Sequence, residues 1–156
     1  MLAIVLASSL AVLYLLAAGP AAGECVGKEN SPDLPAGYVQ LGAWVVGSEH
    51  AVSLACRRDD SRWTLFLRRN VAAGDTPVPK WVTRVTLIIP RPRSGFTLAS
   101  DCLVAGQKDP EVIAIVRETR SPRFVSIQRA WRADIRHESF VEIPTKGISC
   151  VNEAND

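Results

Sequence analysis

The residues of this sequence best equipped for chemistry are its arginines. All fourteen lie between positions 57 and 136. A guanidinium presents a planar fork of donors that matches both oxygens of a carboxylate or a phosphate at once. Arg57, Arg58, Arg62, Arg68 and Arg69 fall in one short stretch. Arg91 and Arg93 flank Pro92, and Arg129, Arg132 and Arg136 follow at close intervals. Gathered on one face, these ten would hold an acidic protein, an anionic polymer of the cell envelope, or lipid headgroups. Turned against the chain's own carboxylates, they would form ordinary surface ion pairs worth little each. Charge along the chain allows either outcome. Residues 24–56 hold four acids and one base, residues 57–136 sixteen bases and eight acids, and residues 137–156 four acids and one base. A net charge of +2 therefore hides a basic middle between acidic ends.

The remaining chemistry-bearing residues argue against several function classes. His50 and His137 are the two histidines, and neither has a second histidine at a metal-ligand spacing. No GxSxG elbow accompanies them, so a serine triad has no local support. Asp59 and Asp60 form an adjacent acid pair, but neighbours on a strand point apart and tight turns favour aspartate. The glycines stand singly, so no phosphate-cradling loop is present. Trp63 and Trp131 lie beside arginines but alternate with aliphatic residues, which reads as core rather than a nucleic-acid platform. No catalytic residue, metal or cofactor is expected, and nucleic acid is not an expected partner.

Cys25, Cys56, Cys102 and Cys150 are the four cysteines, and no CxxC occurs. Their environment is set by the leader. Residues 2–16 are mostly apolar and uncharged, Gly19-Pro20 breaks the run, and Ala21 and Gly23 supply small residues for cleavage before Glu24. A basic start is missing, and about 18 apolar residues barely span a bilayer, so retention as an anchor is the rival reading. Glu24 directly before Cys25 argues against lipid attachment. The expectation is a cleaved signal over residues 1–23, a periplasmic or secreted location, and one domain over residues 24–156. Membrane contact is expected only if the leader is kept. An even cysteine count in an exported chain points to two disulfides. Cys25–Cys56 with Cys102–Cys150 is favoured because each pair closes a local half of the chain.

The elements that must position the arginines read as strands. Residues 38–47 are apolar and β-branched. Residues 50–57 and 63–69 alternate around a short polar break, the pattern of a half-buried hairpin. Residues 81–89 place Trp81, Thr83, Val85, Leu87 and Ile89 on one face. Residues 70–80 and 90–95 are proline-bearing loops. Residues 96–105 form a strand broken near Ser100, and Gly106 to Pro110 reads as a turn. Residues 112–116 are apolar on both faces, as in a central strand covered twice. Residues 124–136 alternate more fully than they follow a helical stripe. Residues 140–143 and 148–151 complete the set, with a hairpin loop at 137–139. About eight strands in a small antiparallel β-sandwich or barrel are expected. The alternative is an α+β fold with one helix near 124–136.

Three roles fit these features: a non-enzymatic binding or accessory module of the bacterial cell envelope, a small inhibitor or immunity-type protein, and a hydrolase assembled from distant residues. The first is the leading expectation. Intact-mass analysis of protein purified from its native compartment should give a chain beginning at Glu24 that takes up no thiol label until it is reduced. Four labelled cysteines on an unprocessed chain would contradict the export reading.

Overall fold

The computed structural model describes Cys25, the backbone of Lys28–Glu29, and residues 34–72 and 78–155. The leader, most of the arm at residues 24–33, and the centre of the 70–80 loop lie outside the described residues. The fold is all-β. The strands are β1 (Lys28–Glu29), β2 (Tyr38–Val45), β3 (His50–Arg57), β4 (Arg62–Asn70), β5 (Trp81–Pro90), β6 (Phe96–Ala99), β7 (Cys102–Val104), β8 (Gln107–Asp109), β9 (Val112–Arg117), β10 (Arg123–Phe124), β11 (Ile127–Asp134), β12 (Ser139–Ile143) and β13 (Ile148–Val151). Among the described residues the one helical turn is a 3₁₀ piece at Glu153–Asn155. The helix considered near 124–136 is therefore replaced by β10 and β11.

All pairing is antiparallel, in three sheets. The first runs β1-β2-β3-β4-β5, the second β12-β11-β9-β6, and the third β10-β13-β7-β8. The second sheet lies between the other two. Ile113 and Ile115 of β9 join Val52, Leu54, Leu65, Leu67 and Trp131 in one core. Val112, Ala114 and Val116 join Cys102, Phe124, Ile148 and Cys150 in another. Successive side chains of a strand point to opposite faces, so β9 feeds both cores and all five of these residues are 3% exposed or less. The unbroken apolar run at 112–116 is the sequence of such a strand.

Three bulges set which side chains reach the core. The β2–β3 register shifts between Gln40 and Gly42, leaving Leu41 as an extra residue. Both Leu41 and Trp44 can then face the same core despite their odd spacing. The β11–β9 register shifts between Ile127 and Arg129. The β4–β5 register shifts so that Leu67 opposes Val85 but Arg68 opposes Thr83, leaving Arg84 extra. This corrects the single face expected for β5. Val85, Leu87 and Ile89 keep the core side, while Thr83 and Trp81 cross to the outer side. There Trp81 lies under the Arg68 guanidinium at 5.7 Å. The hairpin β3–β4 is also more deeply buried than a half-buried pair. Ala51, Ser53, Ala55, Thr64 and Phe66 on its outer face are all 6% exposed or less, and Tyr38 packs edge-on to Phe66 at 5.0 Å.

Both disulfides form as expected from the spacing, Cys25–Cys56 and Cys102–Cys150. The second joins directly opposed residues of β7 and β13. The strands that the sequence did not reveal are short ones. Gly106 to Pro110 is part of a tight hairpin rather than a plain turn: Val104 opposes Gln107 across a two-residue loop. Ala105 and Gly106 both have positive φ, 49° and 81°. Such a loop normally carries Asn-Gly, and an alanine held left-handed is strained by about 1 kcal/mol or more. Ala105→Asn should raise stability by about 0.5–1 kcal/mol, read as a higher urea midpoint with an unchanged slope. An unchanged or lower midpoint would contradict this account of the turn.

Candidate arginine site and the opposite end of the sandwich

Strand register sorts the arginines between the two ends of the sandwich formed by the first and second sheets. Arg57 ends β3 opposite Tyr38, and Arg62 opens β4 opposite Pro90. The turn between them carries Arg58, Asp59 and Asp60. Arg91 follows Pro90 and donates from Nη2 to the Asp60 carbonyl at 3.3 Å, which ties the proline loop to that turn. Arg93 lies over the Phe96 ring at 4.8 Å. Phe96 opposes Arg117 at the end of β9, and the Glu118 amide donates to Gly95. One end of the sandwich thus gathers Arg57, Arg58, Arg62, Arg91, Arg93 and Arg117 with Asp59, Asp60 and Glu118.

Arg62 and Arg57 hold carboxylates of their own turn. Arg62 grips Asp60 through Nε at 3.0 Å and Nη2 at 2.9 Å, and its own amide donates to Asp60 Oδ1 at 2.9 Å. Those bonds hold the Asp60 carboxyl below the usual range and raise the Arg62 guanidinium. Arg57 reaches Asp59 at 3.2 and 3.3 Å and lies 5.9 Å from the Tyr38 ring. By contrast, Arg91, Arg93 and Arg117 have no carboxylate partner among the described residues. Stacking on Phe96 leaves the donor edge of Arg93 open while limiting its rotamers.

The other predicted arginines do not join this group. Arg68 is 4% exposed, pressed on Trp81 and buried in the outer face. Arg129 lies over Trp131 at 4.8 Å and grips Glu142 across β11–β12 at 2.9 and 2.8 Å, which lowers the Glu142 carboxyl. Arg132 is bonded to Asp109. Arg69 and Arg136 stand at the opposite end, Arg69 against Glu49 at 3.3 Å. The single ten-arginine face that the sequence allowed is therefore split. Five of the ten converge, and Arg117 joins them. Arg117 was hidden at the end of an apolar run whose signal is core, and only its pairing with Phe96 places it.

The opposite end is organised by Glu138. This residue sits in the β11–β12 turn with a left-handed φ of 47°. It accepts a 2.7 Å bond from Arg84 Nε, the extra residue of the β5 bulge. Arg69 Nη1 and His50 Nε2 each lie 3.8 Å from its Oε1. A single carboxylate on the second sheet thus meets three strands of the first. His50 is 9% exposed, and among the described residues its Nε2 and Glu138 Oε1 both lack a hydrogen-bond partner. His137 is exposed, with Nδ1 2.7 Å from Asp134. A cavity of about 220 Å³ lies elsewhere, lined by Leu98, Ala99, Ser100, Asp101, Val151, Asn152, Glu153 and Ala154, and neither histidine borders it. No group of three or more His, Cys, Asp or Glu able to hold a metal occurs among the described residues.

Comparison with protein-family models, with curated proteins and with solved structures yields no match. Function must therefore be argued from the site itself.

Arg84 first, and Arg69 and His50 after it, hold the Glu138 carboxyl below the usual range; His137 does the same for Asp134. A carboxyl depressed in the folded state adds stability that is complete above its unfolded value. That stability is lost as pH falls through the folded value. Stability should therefore decline from about pH 4.3 downward. Glu138→Gln should be less stable at neutral pH and should show a smaller acid decline, measured as urea midpoint against pH. Parallel curves for the two proteins would remove Glu138 from this role.

Proposed function

We propose that this chain is an exported, non-enzymatic binding module of the cell envelope that holds an acidic partner against its arginine-rich end. The observation that carries the reading is the convergence of Arg91, Arg93 and Arg117 from two separate parts of the chain, with no carboxylate of the described chain on any of them. Arginines that serve only folding tend to resemble Arg129, gripped by a partner across the sheet. Export is supported by the leader and by an even set of bridged cysteines. Steering by an exposed basic surface raises association rates and falls with ionic strength.

A second reading, as an inhibitor of an envelope enzyme, draws on the proline loop at 90–95. Its contacts at Asp60 and within the turn at Arg93 restrain it, and a restrained loop loses little entropy on entering a cleft.

Binding of fluorescent poly-L-glutamate, followed by anisotropy, tests the first reading. Affinity should fall steeply between low and physiological salt. The triple variant Arg91→Gln, Arg93→Gln, Arg117→Gln should bind about tenfold more weakly, on the scale of three exposed pairs. The triple variant Lys80→Gln, Arg136→Gln, Lys146→Gln removes the same charge away from this end and should bind nearly as the parent does. Equal losses in both would reduce the effect to net charge and remove the site.

A further inference from the structure

We propose that Asp59 is an internal occupant of the Arg57 fork, standing where a carboxylate of an acidic protein partner binds. The inference rests on the binding reading above and specifies how the site is kept closed. Three forks between arginine and carboxylate differ in how firmly they are made. Arg129–Glu142 closes at 2.9 and 2.8 Å across two strands. Arg62–Asp60 closes at 3.0 and 2.9 Å, and Asp60 also accepts the Arg62 amide. Both are part of the fold. Arg57–Asp59 spans 3.2 and 3.3 Å, beyond the 2.7–2.9 Å of a well-made charge-assisted bond. The Asp59 side chain is 72% exposed, and its bonds to Arg57 are the ones it makes among the described residues.

Nothing tertiary hangs on this contact. The partners are two positions apart within one turn, so the fork can open without moving a strand. The Asp60 amide bond to the Arg57 carbonyl at 3.2 Å and the Arg62 amide bond to Asp60 at 2.9 Å hold the turn without the Asp59 side chain. An exposed ion pair contributes little to stability, so an arriving carboxylate displaces Asp59 at small cost. Arg57 is also placed where such a group would arrive. It stands one position beyond the last β3–β4 pair, Cys56 with Trp63, as Arg62 does on the other strand; the turn between them is tied to Arg91 through the Asp60 carbonyl, and Arg57 lies beside the Tyr38 ring. The fork reads two oxygens of one planar group, and a carboxylate already fills it in this chain. That favours a run of Asp and Glu side chains in a protein partner over a phosphate polymer. Asp59 thus occupies the fork and also repels incoming acids.

Binding of poly-L-glutamate and of polyphosphate by the oxidised protein, at 20–150 mM salt and roughly neutral pH, separates the outcomes. Asp59→Asn keeps size and removes the charge. It should bind poly-L-glutamate about threefold to fivefold more tightly than the parent, the range of one exposed pair. Glu49→Gln is the matched control. It removes one charge and releases Arg69 from an exposed carboxylate at 3.3 Å, at the far end of the sandwich, and should change affinity less than about twofold. Thermal melts of both variants within a few degrees of the parent establish that the fold is kept. Salt-sensitive binding by the parent, with Asp59→Asn no tighter than Glu49→Gln, overturns the Asp59 role and leaves the binding reading standing. Polyphosphate bound more tightly than poly-L-glutamate overturns the carboxylate assignment. No binding by parent or variant at the lowest salt overturns both.

Discussion

Both faces of β9 are dry, and the rest of the molecule follows from that constraint. A strand with one wet face can slip by an even number of residues at modest cost. A strand feeding two cores has no polar side to offer water at any register. Ile113 and Ile115 need the broad side chains of the first sheet, and Val112, Ala114 and Val116 need the narrower space beside Cys102 and Cys150. Ala114 and Ala130 oppose each other across β9 and β11, so the two strands present a small central strip to the third sheet. Large side chains there would force the sheets apart. Where β9 ends is thereby set as well, and with it the position of Arg117 beside the proline loop.

The two ends of the sandwich use the same chemistry for different purposes. At one end the Glu138 carboxylate collects Arg84 and approaches Arg69 and His50, so charge holds sheet to sheet. The cost appears in the backbone: Glu138 is held left-handed, a conformation non-glycine residues avoid. The bulge in β5 belongs to the same arrangement, because the extra residue it introduces is Arg84. At the other end, arginines outnumber carboxylates among the described residues, and the carboxylates gripped there, Asp59 and Asp60, lie within one turn. Cross-sheet pairing fastens the molecule at one end and leaves cationic groups available at the other.

Much of the architecture was legible in the residues. Alternation identified β3 and β4, the run at 112–116 marked a doubly covered strand, and cysteine spacing indicated the bridges. What stayed hidden has physical causes. A bulge inserts one residue and reverses facing beyond it, so a strict two-residue period misassigned Trp81 and Thr83. The β7–β8 hairpin escaped notice because Ala105 stands where asparagine would announce the turn. Strands of two or three residues, such as β8 and β10, are shorter than any period. The site was half legible. Residue type pointed to arginine, but which arginines meet depends on pairings such as Phe96 with Arg117, and which are neutralised depends on partners such as Glu142 across a strand. Neither is written in local sequence.

The placement of the two bridges has a topological consequence. Cys25–Cys56 encloses β1 to β3 in one covalent ring, and Cys102–Cys150 encloses β8, β9 and most of the C-terminal strands in another. Residues 57–101 form an open tether between the rings, and they carry β4, β5 and β6. Unfolded but oxidised, the chain resembles a dumbbell whose lobes are already gathered. Most of its remaining configurational freedom lies in the tether. Reassembly must then stitch the tether onto both lobes, β4 along β3 and β6 along β9, before the lobes can meet.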